Sequence, residues 1–80
     1  MALAHERTTL RVVLRQARMA AKLTQDELGV RLDKDQAYVS RYEIGESQLD
    51  FVEVDVIARR LNLTLEEIVR RYQERLVEPR

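Results

Sequence analysis

Apolar residues recur along this chain at three- and four-residue intervals, and nowhere alternate with polar ones for long enough to make a strand. The pattern predicts five helices separated by short breaks. Leu10, Leu14, Ala17 and Ala21 form the inner stripe of a first helix over about Thr9 to Ala21, after a flexible segment at 1–8. Leu28 and Leu32 face inward from a second helix, and Val39 and Tyr42 from a third. Phe51, Val54, Ile57, Ala58 and Leu61 make the buried stripe of a fourth. Leu65, Ile68, Val69, Tyr72 and Leu76 do the same on a fifth, leaving 77–80 as a tail. The expected fold is a single all-α domain over 9–76.

Polar residues at the breaks agree with this division. "TQDE" at Thr24 and "TLEE" at Thr64 are capping boxes, in which hydroxyl and carboxylate each satisfy an orphan backbone amide. Asp35 suits the N-cap of the third helix, and Asp50, with Glu53 three residues on, that of the fourth. Gly45 is placed to stop the third helix, and Asn62 to end the fourth in a left-handed conformation. Asp33 and Lys34 form the turn between the second and third helices, and Asp33 tolerates a left-handed backbone there. Two short helices joined by so brief a turn describe a helix-turn-helix. A large side chain where they meet would hold them apart, and Gly29 occupies that place.

Composition narrows the class. The 80 residues suffice for one domain, and 45% hydrophobic with 35% charged residues describes a globular chain. There is no cysteine, hence no disulfide or thiolate metal site, and the cytoplasm is the expected compartment. No apolar run approaches the roughly 20 residues that span a bilayer, and "MALAHERTT" lacks the apolar centre of a signal peptide, so no membrane attachment is expected. The net charge of zero is unevenly distributed: residues 1–32 carry +3, residues 33–58 carry −5 and residues 59–80 carry +2. A nucleic-acid footprint, which is basic, can only be local.

With those residues in view, the sequence resembles the Cro/repressor-type helix-turn-helix proteins, also called the xenobiotic-response-element family. The resemblance runs from about Leu10 to Tyr72 through "RMAAKLTQDELGVRL", "YVSRYEIG" and "ARRLNLTLEEIV". It implies a five-helix, repressor-like DNA-binding domain, a homodimer on double-stranded DNA, and a role in transcription in the cytoplasm, at the nucleoid when bound. It also implies roles by position. Gln25 would contact a phosphate and brace Gln36, whose amide can pair with adenine N7 and N6. Ala37, Ser40 and Arg41 match the other base-facing positions, with Arg41 suited to guanine. Tyr38 and Ser47 would meet the DNA backbone, and Arg18 with Glu43 would form a structural ion pair. The chain departs from the family pattern at Lys34, usually apolar, at Ile44, usually basic, and at Glu46, an acid near the phosphates.

Arg7, Arg11, Arg15, Arg18 and Lys22 follow spacings of 4, 4, 3 and 4, which at about 100° per residue is one narrow stripe of the first helix. Two readings are open: a phosphate-tracking ridge, with Arg15 and Lys22 as backbone contacts, or a solvated helix face. Met19 with Val12, and Val52 with Val56, are paired apolar residues off the core stripes and hint at a partner surface; the last helix is the usual dimer element of the family. The second functional reading is a protein-interaction module of antitoxin or co-regulator type. It would bind a basic partner through the acidic third-helix region of Asp33, Asp35, Glu43 and Glu46. Nothing in the chain proposes an enzyme, cofactor or metal site: His5 is the lone histidine, and the acidic pairs suit caps better than acid–base chemistry.

Overall fold

The computed structural model describes residues 3–77. Its helices are α1 (Ala4–Ala20), α2 (Gln25–Arg31), α3 (Gln36–Ile44), α4 (Phe51–Arg60) and α5 (Leu65–Leu76), with no strand among the described residues. α1 packs against α3 and α5, α2 against α3, and α4 against α5. The expected all-α, five-helix architecture is the one formed.

Four of the five helix starts are built by the caps read from the sequence. Thr24, Asp50 and Thr64 each complete a capping box with the glutamate three residues on, and the Asp35 carboxylate accepts the Tyr38 amide at 3.0 Å. These bonds hold the Glu27 and Glu67 carboxyls below the usual carboxylate range, since each accepts from the backbone at its own cap. α1 is the exception. It begins at Ala4 with no side-chain cap, so residues 4–8, expected as a loose lead-in, are helical. Thr9 therefore sits inside the helix, where it is buried and its hydroxyl donates to the His5 carbonyl at 2.8 Å.

Helix ends share one device. The amides of Leu23, Lys34, Glu46 and Leu63 each donate to the carbonyl five residues back, after a residue with left-handed backbone. Those residues are Lys22 (φ 63°), Asp33 (φ 58°), Gly45 (φ 87°) and Asn62 (φ 60°). Asp33, Gly45 and Asn62 follow expectation. Lys22 does not, because a long side chain without a local hydrogen bond gives no sign of such a conformation. At the far ends of α2 and α4 two arginines of like charge are reconciled by the backbone: Arg31 donates to the Arg60 carbonyl and Arg60 to the Arg31 carbonyl. Each cation thus lies at the negative end of a helix.

The core joins Val13, Leu14 and Ala17 of α1 to Leu28, Val39, Tyr42, Val54, Ile57, Ala58, Leu61 and Ile68. Three expected core residues lie elsewhere. Ala21 is exposed because α1 ends one residue earlier and buries Thr9, Val13 and Arg18 on its inner side instead. Phe51 is 71% exposed, since the first residue of α4 lies beyond the core at the rim of a groove. Val69 is 41% exposed on the same groove.

Gly29 answers the steric expectation directly. A Cβ there would stand 2.9 Å from the Asp35 carbonyl oxygen and 3.0 Å from that of Lys34, so α2 rests against the backbone that leads into α3. Gly29→Ala gains about 1 kcal/mol of helix propensity. Pressing a methyl onto backbone that cannot swing aside costs about 1–3 kcal/mol. The expected result is a net loss, seen as a lower urea midpoint with an unchanged slope.

Candidate nucleic-acid interface

Two caps set two glutamines. Thr24 and Asp35 fix the first turns of α2 and α3, and the residue after each cap is a glutamine, Gln25 and Gln36. The turn between these helices brings them together: the Gln36 Nε2 donates to the Gln25 Oε1 at 2.7 Å. The Gln25 Nε2 in turn donates to the Glu43 Oε1 at 2.8 Å. Gln36 remains exposed and Gln25 is half-buried.

Glu43, near the end of α3, is held from the other side by Arg18 of α1. The guanidinium Nε donates to Oε2 at 2.8 Å and a terminal nitrogen to Oε1 at 3.0 Å, a two-pronged ion pair with side chains 10% and 2% exposed. The remaining terminal nitrogen donates to the Leu23 carbonyl at 2.8 Å. The hydrogen bond to Glu43 raises the Arg18 pKa above its already high ordinary value, so the guanidinium stays charged. Four side chains, Arg18, Glu43, Gln25 and Gln36, thus form one continuous chain from the core to the surface. Its middle link, Gln25 to Glu43, had no sequence signal, because it spans 18 residues and depends on how α2 meets α3.

The outer face of α3 presents Gln36, Ala37, Ser40 and Arg41, with Gln36 and Arg41 exposed and Ala37 and Ser40 half-buried. Ile44 continues this face and is 61% exposed. Val39 and Tyr42 point into the core, as α3's expected inner stripe requires. Tyr38 is turned toward α4: its hydroxyl donates to the Glu53 Oε2 at 2.8 Å, and its ring meets that of Tyr42 edge-on. Burial, then the bond to Glu53, pushes its pKa up to about 12, so it remains a neutral donor. The Lys34 ammonium lies 5.5 Å from the centre of the same ring, so the cation in the turn finds an aromatic face in place of a core anchor. Ser47 is half-buried, and its amide, like that of Glu46, donates to the Arg41 carbonyl. Only the Ser47 hydroxyl is left for an outside partner.

The basic stripe of α1 passes the end of α3. The Arg11 guanidinium lies against Gly45, its central carbon 2.9 Å from where a Cβ would be, and Arg18 grips Glu43. Arg15 stands between them on the same stripe and is exposed; Lys22, expected on this stripe, lies past the end of α1 with left-handed backbone and is also exposed. Of the four acids around α3, Glu43 is neutralised by Arg18 and Asp35 caps its own helix, which leaves Asp33 and Glu46. Among the described residues no three His, Cys, Asp or Glu side chains gather as a metal site, and no helix is long and apolar enough to cross a membrane.

Residues 14–68 match the family model described as helix-turn-helix, a span that takes in α2, α3 and α4 whole. No curated protein matches the chain.

Proposed function

The chain belongs to the Cro-type (xenobiotic-response-element) helix-turn-helix family of DNA-binding transcription regulators, and from that premise we propose that it reads a specific DNA sequence through α3. Gln36, Ala37, Ser40 and Arg41 meet base edges in the major groove, while Gln25, Arg15, Lys22 and the Ser47 hydroxyl meet phosphates. The observation that carries this reading is the exposed Gln36 amide held by Gln25 at 2.7 Å. A pre-oriented amide recognises adenine better than a freely rotating one. Tyr38 is omitted from the contact set because Glu53 already takes its hydroxyl.

We propose further that two copies bind together, on half-sites about 34 Å apart. In support, a groove of about 330 Å³ lies between the start of α1 and the helices α4 and α5, walled by Leu3, Leu10, Leu49, Val54 and Val69. Exposed Phe51 stands at its edge, so a two-fold contact lets each copy fill the other's groove. The alternative, a surface for a basic protein partner, is less well supported, since two of its four acids are engaged within the domain.

Selection from random duplexes tests the main reading. The expected product is a near-palindromic site, and Gln36→Ala weakens that site by about tenfold while leaving random DNA unaffected. Failure to enrich any site makes the protein-partner reading the better one. Sedimentation at micromolar concentration should show a dimer.

A further inference from the structure

The chain of four side chains does more than hold Gln36 still, because its members differ in what they can give and take. Arg18 only donates, and the Glu43 carboxylate, with a guanidinium N–H on each oxygen, only accepts. Glu43, bonded by the guanidinium on both oxygens, takes a third hydrogen bond from Gln25 at 2.8 Å. An acceptor at that place obliges Gln25 to turn its NH2 group toward Glu43 and its carbonyl toward Gln36. That carbonyl obliges Gln36 to turn its own NH2 inward, in the bond of 2.7 Å. One N–H and the carbonyl of Gln36 are then left for the groove, a donor beside an acceptor in a fixed order. The two orientations of a primary amide have nearly the same shape and differ only in this order.

We infer that the buried Arg18–Glu43 pair, which touches no base, is a specificity determinant that fixes through Gln25 which end of the Gln36 amide donates and which accepts. This rests on the proposed reading of DNA by α3. With the order fixed, Gln36 matches the N7 acceptor and N6 donor of adenine; with the amide reversed, both contacts face like against like. Gln25 and Glu43 are positioning residues in this scheme. The Gln25 NH2 keeps one hydrogen beyond the bond to Glu43, the polarity a phosphate oxygen requires.

The test is the ratio of affinities for two duplexes, the selected site and the same site with its Gln36-dependent base pair exchanged. A loss of folding or of charge weakens both duplexes alike and leaves the ratio unmoved. Gln25→Leu removes the middle link and leaves the ion pair intact; the ratio should fall about tenfold, as for a lost bidentate contact. Glu43→Gln should do the same, because an amide facing a guanidinium sets a donor against a donor in either orientation and fixes nothing. The exchanged pair Q25E/E43Q restores an acceptor-only group beside Gln36, so the ratio should recover even though the ion pair is gone and total affinity is lower. Either single variant keeping the wild-type ratio overturns the inference, as does an exchanged pair no better than E43Q. A wild type that enriches no site, or a Gln36→Ala variant that keeps the ratio, overturns instead the reading of DNA by α3 on which this inference rests.

Discussion

Arg18→Ala is expected to lower the unfolding free energy by about 3–5 kcal/mol, a large part of what holds a domain this small together. Three hydrogen bonds disappear at once: two to the Glu43 carboxylate and one to the Leu23 carbonyl. Gln25 still donates to Glu43, but one neutral amide does not offset a carboxylate that is 2% exposed. Glu43 must then hydrate, by opening the contact between α1 and the end of α3. Urea unfolding followed by circular dichroism reads the loss as a drop in midpoint. A companion variant separates the charge from the packing. Arg18→Met with Glu43→Leu removes both charges and keeps most of the volume, so it should recover much of the lost stability. Recovery relative to Arg18→Met alone, which keeps the volume but strands the Glu43 carboxylate, is the decisive result, since a pair that merely filled space would leave those two variants alike. The double variant also lacks the acceptor for Gln25. A protein that is stable yet indifferent between the two duplexes would show that folding and base preference draw on the same pair separately.

What could be read from the sequence follows the range over which each interaction acts. The caps at Thr24, Asp35, Asp50 and Thr64 join residues three apart, so their partners are visible in the string itself. Gly29 and the left-handed Asp33 and Asn62 are equally local, since the residue type answers to its own backbone. The start of α1 leaves no mark in the sequence for the same reason: with Leu3 at its N-cap there is no side-chain bond to announce it. Phe51 shows a second limit. It keeps the spacing of the α4 stripe, but spacing states which side of a helix a residue is on, not whether a neighbouring helix reaches that far. The bonds from Tyr38 to Glu53 and from Gln25 to Glu43 span 15 and 18 residues, and only the angles between helices bring those atoms together. The candidate interface was thus readable as a set of residues through the family resemblance, together with the links from Gln25 to Gln36 and from Arg18 to Glu43, while the middle link from Gln25 to Glu43 was not. The two arginines of α2 and α4 make the point in reverse, because two like charges in a sequence give no hint of a mutual backbone contact.

Salt should decide between the two readings of the basic stripe, and over a wide range. On the ridge reading Arg11, Arg15 and Lys22 from each of two copies neutralise about six phosphates, Arg7 lying instead at the groove of the proposed dimer contact, so affinity falls roughly a thousandfold between 50 and 200 mM salt. Arg18 contributes nothing to this, because Glu43 already neutralises it. The position of the stripe favours the ridge: Arg11 packs on Gly45 at the end of α3, and exposed Arg15 follows one turn later. Changing Arg15 and Lys22 to glutamine removes about four of the six contacts in a dimer, and the logarithmic salt slope should become shallower by about 3.6. The ratio between the preferred and exchanged duplexes should stay as it is, because phosphates carry no sequence. A slope that does not move would make the stripe the solvated side of an amphipathic helix. The phosphate contacts would then fall to Gln25 and Ser47, neither of which is charged. The resulting protein would hold DNA with weak dependence on salt, consistent with the acids at Asp33 and Glu46 beside α3.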